Sequence, residues 1–433
     1  MLESALSPVR AANEVRALPD PGRPVPHGWS RMRLDDAADR ASGHTPDQGK
    51  PEYWNGGIRW VSLADSNRLD SGYVFETEKE ISALGIRHSS AVLLPAETVV
   101  LSRDAGIGKS AVLASEMAVS QHFIAWKCEE KGHLDPWFLY AWLQLNKAFF
   151  ERMAVGSTIK TIGLPLFKRL TIDLPPLSEQ RRIAEILRSW DLAIEKLEAL
   201  HAAKERRRDA LIYSMVFGAR RFSDFGSQGK LSKYRWFDLP TSWACRPVGE
   251  IALEVSERNR DGEHEVLSCS KYDGFVRSLE YFNKQVFSSD LSGYKVIRRG
   301  EFGFPSNHVE EGSIGLQNLV DTGLVSPIYT VFRFDPEVVD NEYAFAVLKT
   351  SLYRHIFEVS TSASVDRRGS LRWSEFSKIP FPIPPLEEQR AIMAVIRAAR
   401  ADAESATREI NALQRQKRGL MQKLLKGEWR VTC

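Results

Sequence analysis

Cysteine is scarce in this chain. Only Cys128, Cys245, Cys269 and Cys433 occur in 433 residues, and they lie far apart. No two form a Cys-x-x-Cys pair and none joins a histidine cluster. Neither a disulfide framework nor a structural zinc is expected, and free thiols in a reducing compartment fit the pattern. Long apolar runs are missing too. The longest candidate, Trp137 to Leu145, contains Gln144 and falls well short of the ~20 residues a membrane-spanning helix needs. Residues 1–24 are rich in alanine, proline and charge, without the apolar centre of a signal peptide. They are expected to form a loose lead-in, and the chain is expected to be cytoplasmic with no membrane partner. Charge of one sign is also missing: 59 Lys and Arg stand against 56 Asp and Glu. An acidic macromolecule would have to meet local basic patches, not an overall basic surface.

Motifs of chemistry are equally sparse. Gly106-Ile107-Gly108-Lys109-Ser110 resembles the end of a P-loop, but the glycine needed five residues before Gly108 is replaced by Arg103. Exposed amides and a lysine would suit a bound phosphate without hydrolysis. No Gly-rich cofactor loop follows a strand. Acidic pairs such as Glu310-Glu311 have no metal-ligand or nuclease spacing and read as solvated surface. No catalytic residue, no metal ligand and no cofactor of its own is expected for this chain.

What the sequence does contain is a copy of part of itself. Pro175-Pro176-Leu177-Ser178-Glu179-Gln180-Arg181-Arg182-Ile183 returns as Pro384-Pro385-Leu386-Glu387-Glu388-Gln389-Arg390-Ala391-Ile392, shifted by 209 residues. The same shift relates Phe167 to Phe376, Leu170 to Ile379, Gly218 to Gly427 and Arg221 to Arg430, so residues 167–221 recur without a gap. Upstream the copies diverge, yet each opens on a proline followed three residues later by tryptophan: Pro26 with Trp29, and Pro240 with Trp243.

The repeated part reads as a long helix. Pro-Pro sets its start, Ser178 can cap it and Glu179 suits the positive end of the helix dipole. Gly218 or Gly427 closes it. About forty residues give roughly 60 Å of helix. Apolar positions step by four and three: Ile183, Leu187, Trp190, Ile194, Leu197 and Met215 in the first copy, and Ile392, Ile396, Ile410, Leu413, Leu420 and Leu424 in the second. His201, Lys204 and Arg208 interrupt the first seam. This is a coiled-coil pattern. Pairing positions whose numbers add to 607 sets Ile183 against Leu424, Ile194 against Leu413, Leu197 against Ile410, Met215 against Ile392 and Trp190 against Lys417. It also sets the bulky Lys204 and Arg208 against the small Ala403 and Ala399, which favours an antiparallel pair over a parallel one.

The unlike regions read as mixed α/β. Strands are expected at 57–63, 92–94, 99–101 and 328–334, helices at 136–153 and 343–357, and an alternating exit strand before each Pro-Pro. The fold class is therefore α+β: two mixed α/β domains joined and separated by two long antiparallel coiled-coil helices, an internal repeat with pseudo-two-fold character. The expected division is a lead-in at 1–24, a first domain at 25–176, a helix at 177–221 and a linker at 222–238. A second domain at 239–384, a helix at 385–427 and a tail at 428–433 follow.

The doubled Pro-Pro-Leu-x-Glu-Gln block heading a long helix resembles the specificity subunit of type I restriction-modification systems. So do Gly28-Trp29, Gly43-His44-Thr45-Pro46, Tyr53-Trp54-Asn55-Gly56-Gly57-Ile58-Arg59-Trp60 and Gly156-Ser157-Thr158-Ile159-Lys160. The second domain lacks the Gly-x-Thr-Pro run but has Asp366-Arg367-Arg368-Gly369-Ser370-Leu371-Arg372-Trp373, which also resembles the family. The resemblance implies two target recognition domains, each reading half of a split, asymmetric double-stranded DNA site. It implies a helical spacer that docks two methyltransferase subunits, through which restriction (motor and nuclease) subunits join. S-adenosylmethionine, ATP and Mg2+ would belong to those partners. An adenine methyltransferase needs a polar residue ahead of Pro-Pro to hold the flipped base; Leu174 and Ile383 stand there, so base flipping is assigned to a partner.

Base and phosphate chemistry nominates the contacts, because arginine reads guanine, Asn and Gln read adenine, and cations and amides hold phosphate. In the first domain these are Arg59, Arg103, Lys109 and Lys160. In the second they are Lys271, Asn307, His308, Arg367, Arg368 and Arg372. Two other readings remain open at this point: a DNA-recognition module of another defence or modification system, and a coiled-coil scaffold that binds only protein.

Overall fold

Each Pro-Pro ends a strand and starts a helix, because proline cannot donate to a ladder and presets the helical φ. Strand Thr171–Leu174 precedes helix Leu177–Val216, and strand Pro380–Ile383 precedes helix Leu386–Leu425. The first helical bonds run from Gln180 N to Pro176 O and from Gln389 N to Pro385 O, both 3.0 Å. Ser178, expected as a cap, lies inside the first turn instead. At the other ends Gly218 and Gly427 adopt φ of +70° and +66° and close the last turn. The helices stop at Val216 and Leu425, short of the expected 221 and 427, since the left-handed glycine takes the chain out of the helix. A side chain there would also collide: a Cβ on Gly218 falls 2.5 Å from the Pro240 ring, and one on Gly427 falls 2.6 Å from the Pro26 ring.

The computed structural model describes residues 18, 22–104, 106–156, 160–226, 229–260, 263–271, 274–282, 284–307, 309–361 and 370–431. The chain divides into two compact units, 1–197 with 409–433, and 198–408. Each holds one of the unlike domains and a stretch of each long helix.

In the first unit the exit strand Thr171–Leu174 runs antiparallel to Ser30–Arg33. Ile172 and Leu174 face the core, and Asp173, also buried, is held by both arms of Arg31 at 2.7 and 3.0 Å. A five-stranded sheet runs in the order Asp39–Ser42, Phe123–Lys127, Val99–Ser102, Ser110–Leu113, Tyr73–Val74. A four-stranded sheet runs in the order Lys79–Ile81, Trp54–Val61, Met117–Val119, Leu93–Leu94. The strand expected at 57–63 begins three residues earlier, and Leu63 enters a turn capped by Ser62 and Asp65. The helix expected at 136–153 is two, Pro136–Leu145 and Lys147–Met153. It breaks at Asn146, whose amide donates back to Trp142 O at 2.8 Å. Trp126, Phe138, Phe150 and Phe167 fill the core, which Ile183, Leu187, Leu424 and Leu425 of the long helices close. Of the lead-in, Leu18 packs on this core and its carbonyl accepts from Thr171; Arg23 O accepts from Arg31. Residues 1–17 and 19–21 lie outside the described residues.

The second unit is built from the same kinds of part. Exit strand Pro380–Ile383 pairs antiparallel with Ala244–Pro247. One sheet orders Ala252–Val255, Tyr329–Phe334, Phe302–Pro305 and Gly315–Leu316; the other orders Gly274–Arg277, Glu265–Ser270, Thr322–Val325 and Lys295–Arg298. The helix expected at 343–357 is again two, Asn341–Leu348 and Ser351–Ser360, with Thr350 capping the second. Phe302, Phe304, Phe332, Phe376 and Phe381 form an aromatic core with Ile392 and Ile396. Tyr343, fully buried within it, donates to Val216 O at 3.1 Å. Within the segment expected as linker at 222–238, strand Leu231–Lys233 pairs with Asp238–Pro240, crossing the expected boundary at 239.

Within each unit the two long helices run antiparallel. In the first, Lys417 donates to Asp191. In the second, Lys204 donates to Asp402 at 2.7 Å and Thr407 meets His201 at 3.0 Å. Ile183, Leu187, Ile194, Met215, Ile392, Ile396 and Leu424 are buried; Trp190, Leu197, Ile410, Leu413 and Leu420 are half-buried.

Candidate nucleic-acid interface

The repeated block is taken up by structure. Gln180, fully buried, donates to His133 O and Pro175 O and accepts from Asp135 N, all at 2.9 Å. Gln389 does the same with Val338 O, Pro384 O and Asp340 N. Asp135 and Asp340 in turn cap the helices that follow them. The glutamate beside each glutamine pairs with an arginine just beyond the end of the neighbouring long helix. Arg430 grips Glu179 at 2.8 and 2.7 Å in the first unit, and Arg221 grips Glu388 at 2.7 and 2.8 Å in the second. Trp243 adds its ring N–H to Glu388 at 3.0 Å, and each arginine lies over its tryptophan, Trp243 or Trp29. These hydrogen bonds hold the Glu179 carboxyl below its ordinary range and push Arg221 and Arg430 up. The block therefore locks each domain to two helix ends, and Glu179, Gln180, Glu388 and Gln389 are all taken up in doing so.

The shorter motifs pack as well. Trp60 donates to His44 O and Trp54 to Asp47 O, both 3.1 Å, tying the Tyr-Trp-Asn-Gly-Gly run to the Gly-His-Thr-Pro run. A Cβ on Gly43 would strike the Val119 carbonyl at 1.7 Å, so only glycine fits.

The nominated contact residues fall into a pattern. In the first domain the turn at 103–109 joins two central strands, with Gly106 and Gly108 at positive φ. Arg103 N donates to His122 O, and Ile162 N donates to Arg103 O, both at 2.9 Å. The turn, the loop at 120–122 and the segment at 155–162 therefore meet. Arg103 lies in this junction, and exposed Lys160 stands two residues before Ile162 in the chain. Lys109 shares the turn, but its ammonium donates to Ser66 O at 2.7 Å and Ser66 Oγ at 3.2 Å, so it braces the neighbouring loop. Arg59 stands apart. It is exposed on Trp54–Val61 and reaches Ser115, at the far end of the hairpin from Arg103.

The second domain repeats the junction. Leu371 N donates to Ser306 O at 2.8 Å, bringing the segment before the exit strand onto the loop at 306–312. Asn307 and exposed Arg372 adjoin that bond. Lys349 donates to Lys271 O at 2.8 Å and Gly312 O at 3.0 Å, so the turn bearing exposed Lys271 is tied to the same loop. His308, Arg367 and Arg368 lie outside the described residues.

Sequence reasoning missed three residues of the first junction. Asp104 accepts from Thr161 and from His122 Nδ1. Their separations in sequence carry no motif; only the strand order brings them together. It also missed Lys349, which looks like any helix-end lysine.

Burial pushes the thiols of Cys245 and Cys269 up to about 11 and about 12 and raises that of Cys128 further, so none is a reactive group. Among the described residues no cluster of His, Cys, Asp and Glu could hold a metal, and no helix is long and apolar enough to cross a membrane.

In each unit a mixed domain, unlike its counterpart, is locked to long helix ends by the same repeated block. Residues 26–204 match the family described as Type I restriction modification DNA specificity domain. Over nearly its whole length the chain is similar to type I restriction enzyme specificity subunits. It is 25% identical, over 95% of each chain, to the Type I restriction enzyme MjaVIII specificity subunit of Methanocaldococcus jannaschii. It is 23% identical, over 58% of each, to the MjaIX specificity subunit of the same organism. It shares its fold with a solved chain from work on complex assembly and conformational transition of the type I R-M system, with TM-score 0.59, 17% identity, and 94% of this chain and 100% of that chain covered.

Proposed function

We propose that this chain is the sequence-reading subunit of a type I restriction-modification complex. Each domain reads one half of a bipartite, asymmetric DNA site, and the two long helices, related by a pseudo-two-fold repeat, set the unspecified gap between the halves. The observation that carries this reading is the recurring junction. In both domains the segment ahead of the exit strand bonds to a loop of the central sheet, Ile162 to Arg103 and Leu371 to Ser306, and basic or amide side chains gather there. The main-chain bond recurs, while the side chains around it differ between the two domains. Arg103, Lys160, Asn307 and Arg372 are the candidates for base and phosphate contacts, together with Arg59, Lys109, Lys271, His308, Arg367 and Arg368 at lower priority.

In this reading methyl transfer, base flipping and cleavage belong to partner subunits. Two methyltransferase subunits dock on this chain and restriction subunits join through them, and S-adenosylmethionine, ATP and Mg2+ bind to those partners. Methylome sequencing of the host tests the proposal. A two-part adenine-methylated motif that disappears when this gene is deleted is the expected result; an unchanged methylome rules the reading out. Duplex binding by the assembled complex should also weaken steeply as salt rises, since counterion release dominates such affinities. A protein-only scaffold would show no such dependence.

A further inference from the structure

A base-reading surface must be held to within a fraction of an ångström, yet the first domain's junction is made of three loops. The turn at 103–109 contains two glycines at positive φ and could settle in many ways. Its backbone is fixed at Arg103, which bonds to His122 O on one side and Ile162 N on the other. These are main-chain bonds, and they leave side-chain directions open. The next residue supplies the missing constraint. One oxygen of the Asp104 carboxylate accepts from the Thr161 hydroxyl, and the other accepts from His122 Nδ1. A single half-buried carboxylate therefore links the turn, the 120–122 loop and the segment that carries Lys160. Arg103 lies against it, its Nε 3.9 Å from Asp104 Oδ1 and buried without a hydrogen-bond partner. With both Asp104 oxygens engaged by Thr161 and His122, Arg103 Nε stands beside the carboxylate at ion-pair distance without a hydrogen bond to it.

We propose that Asp104 is a positioning residue for the first half-site: it welds three loops into one surface and so fixes the directions of Arg103 and Lys160. This rests on the DNA-reading function proposed above. Asp104 itself touches no base. Its loss leaves the backbone bonds of Arg103 in place, so the domain folds, but frees the side chains that discriminate.

The test uses the complete complex with its methyltransferase partner. Methylation rates are measured on the cognate site and on sites with single base changes in either half. Asp104→Ala is expected to reduce discrimination in one half-site by about tenfold or more, the scale of one misplaced base contact, and to leave the other half-site within about twofold. Asp104→Asn keeps one acceptor and should fall between, and Thr161→Val, which removes only the hydroxyl arm, should show a smaller loss in the same half-site. Equal loss in both half-sites, or lower thermal stability with unchanged base preference, overturns the proposal. If the wild-type complex methylates no two-part site at all, the functional reading itself fails.

Discussion

Arg221 and Glu388 form a two-pronged ion pair that is nearly sealed from water, with side-chain exposures of 5% and 0%. They lie 167 residues apart in sequence. The equivalent pair, Arg430 and Glu179, has the same geometry, but its arginine is 43% exposed. The contrast sets the first prediction. Losing either arginine strands a buried glutamate, which costs about 3 kcal/mol or more where both partners are sealed and less where the arginine already stands in water. Arg221→Ala should therefore lower the denaturant midpoint of the second unit more than Arg430→Ala lowers that of the first. Equal effects would contradict the assignment of burial as the deciding factor.

The Glu179 carboxyl titrates lower than usual, because Arg430 hydrogen-bonds its charged form while partial burial opposes. Its contribution to stability is complete above the ordinary glutamate value of 4.5 and is lost as pH falls through the lower folded value. Urea midpoints of wild type and Glu179→Gln should differ by a constant amount from pH 7 down to about pH 5, and converge below that. A gap that widens on acidification would mean the pair is not what stabilises the charged carboxyl.

At one matched position the two helix pairs carry different charges. In the first unit Lys417 meets Asp191; 209 residues away, Arg208 meets Arg400. Arg208 is already held by Glu205 and Asp209, both at 2.7 Å, so it cannot compensate a second cation's burial. Burial, and then Arg208, make the charged form of Arg400 harder to keep. Arg400→Asp should recreate the first unit's pair and raise the second unit's melting temperature by about 2 °C, with Arg400→Ala in between. A drop in melting temperature would show that Arg400 has a favourable role.

The functional reading predicts a separable spacer. Inserting about four residues, one helical turn, into both long helices should change the gap between half-sites and leave their base sequences alone. Exchanging residues 25–170 for those of a relative should change one half-site only. Methylome sequencing reads both; an edit that altered both half-sites would sink the division of labour.

Much of this was legible in the chain itself. The exact 209-residue repeat, the Pro-Pro starts and the glycine ends define the long helices because those residues act locally, through φ and missing N–H groups. The four-three spacing of Ile183, Leu187 and Ile194 marks a buried stripe for the same local reason. The resemblance to type I specificity subunits was legible too, since the doubled block is specific. Local rules erred where a single side chain decides: Asn146 breaks one expected helix and Thr350 begins another. The roles of the block's own Glu and Gln were out of reach, because their partners come from the far end of another helix and from a distant loop. So was the union of Asp104, His122 and Thr161, and the engagement of Lys109 by Ser66. Strand order, which depends on non-local pairing, brought those side chains together; sequence alone determined the helices and the doubling, and tertiary structure alone decided which polar residues hold the frame and which are left to face a partner.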